Sequence, residues 1–403
     1  MAKRLMGALG GFFLALMLVT GALADGVTLR TVSCFAGRDA SAEAYVELLK
    51  AFETQTGNIV EDASATSDEA WKAGVLYDFA AGNEPDILFF FAASADSAPI
   101  LSRVVPISEI NAAYPDLHLA ENASLAEADG KVYAIPSRPF WEGLFVNVDL
   151  FERYGLALPT TWDNLEAAIV RFNQEGIIPI SASLSDIPHY IAEFAILACG
   201  TPQDYTARPK ALEDVPDSWY EGMRLIRRLY ELNAFASNIN ATTELAMSQL
   251  FREKKAAMQI DGSWFANTIP EQSMDTTIVM PMPTYCEGAD PTAVVGGVSM
   301  GFYLTRSAWE DETRRDAAVA LLSWLTNTEA AAKLGGYHYS GRLLESSYQL
   351  TSHASCMLSP LQDAMTKEAR EVWLLECISR VADGSMSAEA CWETVMALHP
   401  FGE

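Results

Sequence analysis

Continuous apolar runs and stripes of apolar residues at every third or fourth position alternate along the first half of this chain. That alternation predicts strands followed by helices, the order that lays helices over a sheet. Val27–Cys34 reads as a strand, and Ser41–Thr56 as a helix with Tyr45, Leu48, Leu49 and Phe52 on one face. Gly57 ends that helix before a strand beginning at Ile59-Val60. Trp71–Ala81 is a second helix closed by Gly82-Asn83. Asp86–Phe91 is short and continuously apolar, as strands buried on both faces of a parallel sheet are.

A second set of elements fills Lys131–Ile180. Val132–Pro136 is extended, and Pro136 and Pro139 stiffen the backbone around them. Leu144–Val148 reads as a buried strand. Thr160-Thr161-Trp162-Asp163 offers a capping hydroxyl and a first-turn acid to a helix whose face is Leu165, Ile169 and Phe172. Gly176 closes it before the strand Ile177–Ser181. Helices are predicted around Ile187–Leu197, Trp219–Asn233, Thr243–Arg252 and Thr313–Leu325, and strands at Ala256–Ile260, Thr276–Met280 and a glycine-broken Ala293–Leu304. Ser359–Leu398 is helical, with Gly384 between two helices.

No repeat and no low-complexity linker divides the chain, so two domains would be joined by extended crossings. Candidates are Ala134–Pro139, Met280–Pro283 and a third near Thr326. The prolines there fit either a stiff hinge or ordinary edge strands.

The N-terminus reads as a processing signal: Lys3 and Arg4, an apolar run Leu5–Leu18, then the small-residue site Ala22-Leu23-Ala24. Residues 1–24 are therefore expected to be removed, leaving an exported chain in the periplasm or at the cell surface with no direct membrane insertion. Cys34, set off by Asp25 and Arg30, suits the first strand better than a lipid-attachment site. A net charge of −26 argues against nucleic acid or an anionic membrane as partner, since both demand basic patches. Six scattered cysteines without a CxxC pair lack the spacing of zinc or thioredoxin-type sites. Export permits disulfides and this size does not require them, so mostly buried free thiols are expected, with pairing left open.

Two motifs suggest chemistry. Gly297-Val298-Ser299-Met300-Gly301 matches the G-x-S-x-G elbow of serine hydrolases, but that elbow needs a helix immediately after the serine, and Phe302–Thr305 is strand-like. His189 and Glu193 stand at i, i+4 spacing; two ligands do not make a metal site. No cofactor, metal or catalytic residue is expected.

The order Tyr133-Ala134-Ile135-Pro136, Asn147-Val148-Asp149-Leu150-Phe151, Gly155-Leu156, Pro159-Thr160-Thr161-Trp162-Asp163 and Gly176-Ile177-Ile178-Pro179-Ile180 resembles a region of bacterial extracellular solute-binding proteins, the carbohydrate-type receptors of ABC importers. The resemblance extends over nearly the whole mature chain. It implies an α/β, two-lobed periplasmic-binding-protein-like fold, each lobe a doubly wound sheet flanked by helices, with a hinge between lobes. With the three crossings, the lobes are expected at 25–136 with 284–325 and at 137–283 with 326–403.

It also implies a sugar held in the cleft and handed to ABC permease subunits by a monomeric receptor. A pyranose stacks its C–H face on an aromatic ring and donates its hydroxyls to carboxylates. In Asp261-Gly262-Ser263-Trp264, Trp264 matches the family's sugar-stacking tryptophan and Asp261 stands beside it. Glu142 matches the sugar-contacting acid, with Trp141 next to it. Phe90 and Phe91 follow a Pro-Asp pair as the family's cleft aromatic does, and Asp39 is the acid of the first lobe's polar loop. Gly297 lets ligand approach the backbone, and Arg342 and Trp373 are further candidates. Core packing is the alternative for Trp264, Phe90, Phe91 and Trp373. The competing functions are a secreted hydrolase using Ser299 and a same-fold receptor for a non-sugar solute.

Overall fold

A computed structural model describes residues 26–402 except 38, 68, 120–126, 129 and 337; the expected signal segment lies outside the described residues. Its main strands are labelled in chain order: β1 (Thr28–Val32), β2 (Ile59–Asp62), β3 (Ile87–Phe91), β4 (Ile135–Pro136), β5 (Phe140–Asn147), β6 (Ile178–Ser181), β7 (Ala256–Gly262), β8 (Thr277–Met280), β9 (Val294–Gly297), β10 (Met300–Leu304) and β11 (Met357–Leu358). They form two sheets, one in each lobe.

The first has the order β2-β1-β3-β10-β4. β1 pairs parallel with β2 and β3, as helix-linked strands do, while β10 runs antiparallel between β3 and β4. The helix Ala42–Thr56 buries Tyr45, Leu48, Leu49 and Phe52 against this sheet and ends at Gly57 with φ 76°.

The second sheet is built around β5, which is longer than the sequence suggests. β7 lies on one side of it and β6 beyond; β8 and β9 share the other edge end to end, and β11 pairs with β9. Along β5 the side chains alternate. Trp141 and Phe145 enter one apolar cluster with Phe251 and Phe265, while Leu144 and Val146 enter the larger one beneath the helices Trp162–Gln174 and Pro188–Leu197. Thr161 caps the first of these helices, its hydroxyl accepting from the Asn164 N–H at 3.3 Å.

The expected lobe boundaries need two corrections. Residues 284–297 belong to the second sheet, because Gly296 and Gly297 of β9 pair with Trp141 and Phe140. The Met280–Pro283 prolines therefore mark no crossing. The chain crosses at Val298-Ser299, where one glycine-broken strand in the sequence is two strands in two sheets. The last crossing is also later than Thr326. The helix Thr328–Leu334 keeps Ala330 and Leu334 in the first core, and the Ser41 hydroxyl donates to the Leu334 carbonyl at 2.8 Å. Only the next helix, Gly341–Ser352, joins the second lobe, where Ser346 Oγ accepts from the Val279 N–H of β8 at 3.0 Å. The first crossing lies between β4 and β5.

All six cysteines are free thiols. Trp373 is fully buried, its ring 5.8 Å from that of Trp392, which packs in turn on Trp219 at 4.8 Å. Trp373→Ala should cost about 3–5 kcal/mol of stability, read as a lower urea midpoint at unchanged slope. A loss below about 1 kcal/mol would contradict this packing role.

Candidate functional site

The strands that change lobes end at one mouth. β5 begins with Phe140, separated from the end of β4 in the other lobe by Ser137, Arg138 and Pro139. β7 runs antiparallel to β5, so Glu142 lies opposite Gly262 and Gly143 opposite Asp261. The two strands thus bring Glu142 and Asp261 to adjacent rungs, with their side chains leaving on opposite faces of the sheet. Directly after β7 a short turn of helix, Ser263–Ala266, presents Trp264.

Trp264 is half-buried and its indole lies on the backbone of Gly262; a Cβ there would collide with the ring carbons. Glycine is required by this close approach. Phe140 at 5.8 Å and Tyr190 at 6.1 Å between ring centroids complete an aromatic wall. Gly297, with φ 133° and open space where a side chain would be, pairs with Phe140 at the same mouth.

Asp261, Glu193 and Glu142 are buried at this end of the sheet, near enough for their charges to be felt at Glu142. Asp261 accepts from Gln259 Nε2 and from the Gly262 N–H, each at 2.7 Å. Burial and the neighbouring Glu244 nevertheless raise its pKa to about 8. Glu193 accepts from the Tyr205 hydroxyl at 2.9 Å and the Gln362 N–H at 3.0 Å, and burial raises it to about 8. Asp363 rises to about 7 through burial and the nearby Asp96. Glu142 is pushed well above the usual carboxyl range by burial and then by Glu193, Asp261 and Asp363; its Oε2 is sealed from water without a hydrogen-bond partner. Protonated carboxyls both donate and accept, which suits hydroxyl groups. A void of about 10 Å³ adjoins Glu142, bounded by Phe194, Pro281, Met282 and Ala293. It has room for one water, against roughly 300–1,000 Å³ in small-molecule pockets.

The lobes are joined here by ion pairs. Asp39 of the first lobe binds Arg138 on the crossing at 2.6 Å, and Arg138 sits at φ 64° with its guanidinium 5.5 Å from the Phe35 ring. Asp96, just beyond β3, meets Arg370 of the second lobe through two hydrogen bonds.

Glu142, Trp264 and Gly297 therefore lie at the end of the sheet where Phe140 enters β5, with Asp261 at the same end on the other face from Glu142 and Asp39 at the adjoining crossing. Four expectations are corrected. Trp141 points to the opposite face of β5 from Glu142 and stacks on Phe145 at 5.8 Å, because strand neighbours alternate. Phe90 is fully buried against Trp71, 5.5 Å away, inside the first lobe. Arg342 lies beyond the far end of β5, half-exposed and 3.9 Å from Glu152. Trp373 is core. Phe91 remains near the mouth, its ring 4.5 Å from Lys72 Nζ. The sequence reading missed Phe140 and Tyr190; Phe140 carried a signal in standing between a proline-stiffened crossing and a buried strand. Ser299 is followed directly by β10, so the helix that an elbow needs is not there. Among the described residues no group of three or more His, Cys, Asp or Glu is placed to hold a metal ion, and no helix is long and apolar enough to cross a membrane.

Residues 47–343 match the family profile of the bacterial extracellular solute-binding proteins. The melibiose/raffinose/stachyose-binding protein of Bacillus subtilis is 22% identical over 238 residues, 54% of this chain and 52% of that protein, so the match spans about half of the relative's length. Among solved structures, a chitin oligosaccharide binding protein superposes with a TM-score of 0.76 at 18% identity, over 93% of this chain and 98% of that one. A maltose/maltodextrin-binding domain from Bdellovibrio bacteriovorus bound to maltotriose gives 0.69 at 18%, over 93% and 98%. The two-lobed α/β fold is thereby established.

Protonated acids in the folded state have a pH consequence. Asp261, Glu193 and Asp363 keep protons that unfolded carboxyls lose near about pH 4, so folding binds protons and stability falls as pH rises toward about 8. His189, depressed to about 3 by burial and by Lys72 and Arg370, acts oppositely only below about pH 6.5. The melting midpoint should therefore fall between about pH 6.5 and 8, and Glu193→Gln should flatten the slope. A flat or rising midpoint in wild type across that window would contradict these assignments.

Proposed function

This chain belongs to the bacterial extracellular solute-binding proteins, a family of exported binding proteins rather than enzymes, and from that membership and the mouth geometry we propose that it is the sugar-capturing receptor of an ABC importer. The observation that carries the reading is the half-buried Trp264 indole laid on Gly262 beside the proton-holding Glu142 and Asp261. Indole offers the apolar face of a sugar ring a platform, and Glu142 Oε2 offers a hydroxyl an unfilled acceptor. An uncharged saccharide suits acids held neutral, which both donate to and accept from its hydroxyls. The names of the sugar-binding relatives support the same class.

The binding step is hinge closure. A solute held between the lobes enters when they are apart and is enclosed when they come together. A ligand touching both lobes binds the closed form better and shifts the population toward it. The closed, loaded form is the state a membrane permease would read. No residue need do covalent chemistry, and the receptor acts as a monomer.

A thermal-shift panel of neutral mono- and oligosaccharides, with spermidine as the cationic comparison, tests the class. Saccharides should raise the midpoint; stabilisation by spermidine alone would make the acids a cation site. For the saccharide that binds, Trp264→Ala should weaken affinity by roughly tenfold, about 1–2 kcal/mol, with a midpoint near wild type. An equal loss of stability with affinity intact would place Trp264 in the core.

A further inference from the structure

We propose that Arg370 and Lys72 form a carboxylate-binding seat shared by the two lobes, that the chain fills it with its own Asp96, and that Asp96 thereby denies it to acidic ligands. Asp96 lies in a four-residue helical turn, Ser94–Ser97, immediately after β3 of the first lobe. Arg370 lies on the helix Lys367–Val372 of the second lobe. Arg370 Nη2 donates to Asp96 Oδ1 at 2.8 Å and Nη1 to Oδ2 at 3.1 Å, the two-pronged fit of a guanidinium to a carboxylate. The side chains are only 9% and 3% exposed. Lys72 of the first lobe adds a second cation, its Nζ 3.8 Å from Asp96 Oδ1.

The surroundings make this a seat rather than a surface pair. His189 faces it from the second lobe, kept uncharged by burial and then by Lys72 and Arg370, and Asp363 faces it from the same side. Removing the Asp96 carboxylate takes both of these hydrogen bonds from a buried guanidinium, the costly half of breaking a buried pair. A small carboxylate from solution would restore the pairing. With Asp96 in place the seat is filled, and the remaining acids at the mouth face the ligand. The consequence for specificity rests on the saccharide reading above: neutral sugars are accepted and uronic acids refused.

Chemical rescue tests the seat. Melting midpoints of wild type, Asp96→Ala and the double variant Asp96→Ala/Arg370→Gln are compared in sodium acetate and in sodium chloride of equal ionic strength. Acetate should raise the midpoint of Asp96→Ala selectively, and neither wild type nor the double variant should respond. No selective response in Asp96→Ala, or the same response in all three proteins, would overturn the proposal. Should Asp96→Ala fail to hold its fold in chloride, the folded fraction recovered on refolding in acetate against chloride gives the same comparison, and equal recovery would sink it. The specificity arm uses glucuronate and glucose: glucuronate should stabilise Asp96→Ala more than it does wild type, and equal effects would remove the gatekeeping role. Because the acetate arm needs no sugar, rescue without any saccharide effect on wild type would leave the seat standing and the saccharide reading fallen.

Discussion

Glu142 is buried near enough to Glu193, Asp261 and Asp363 to feel their charges, and one of its oxygens meets no donor. Leaving a buried polar atom unsatisfied costs about 1–3 kcal/mol, and burying several ionised carboxyls together costs far more. The protein meets the second cost by holding protons on these groups. The first remains open, and the position of Glu142 is the reason. It lies on the strand that leaves the lobe crossing, just beyond Phe140 and Trp141, where the outer end of the second sheet turns toward the first lobe. Glu193, by contrast, has Tyr205 and the Gln362 backbone as donors.

The topology places that acid. β5 is the central strand of the second sheet, and it is entered directly from the first; β9 pairs with its opening residues and then returns the chain through Val298-Ser299 to β10. Two of the three crossings thus flank Phe140, so any rotation of one lobe about them moves the aromatic wall relative to Asp39, Phe91 and Asp96. Arg138 and Arg370 tie the lobes at separate points, each to a first-lobe aspartate. Closure in this architecture is a contest between such pairs and hydration of the separated charges, with a bound solute adding to the side of the pairs.

Much of this was legible in the residues. Apolar runs and helical spacing located β1, β3 and the helices Ala42–Thr56 and Trp162–Gln174, whose caps and glycine ends behave as local chemistry dictates. Trp264 and Asp261 were singled out by the family resemblance and by their place directly after a strand. Trp141 was misread through its adjacency to Glu142: neighbours within a strand point to opposite faces, and Glu142 on one face puts Trp141 on the other. Phe90 failed alike, one residue inside a strand whose last residue, Phe91, is the one near the mouth. Pro281 and Pro283 looked like a hinge because proline marks irregular backbone, but which sheet a later strand joins is decided by long-range pairing that no local pattern carries. Arg370 and Asp96 meet across 274 residues and had no local signal at all.

The central claim is that a hydroxylated solute fills the open valence of Glu142 while resting on Trp264. Crystals grown with the saccharide that most raises the melting point test it most directly. The account predicts a sugar hydroxyl at about 2.6–3.0 Å from Glu142 Oε2 and the ring face on the Trp264 indole, with first-lobe atoms on the other side. A sugar bound elsewhere, with Glu142 still unpartnered and the indole turned into the core, would contradict it.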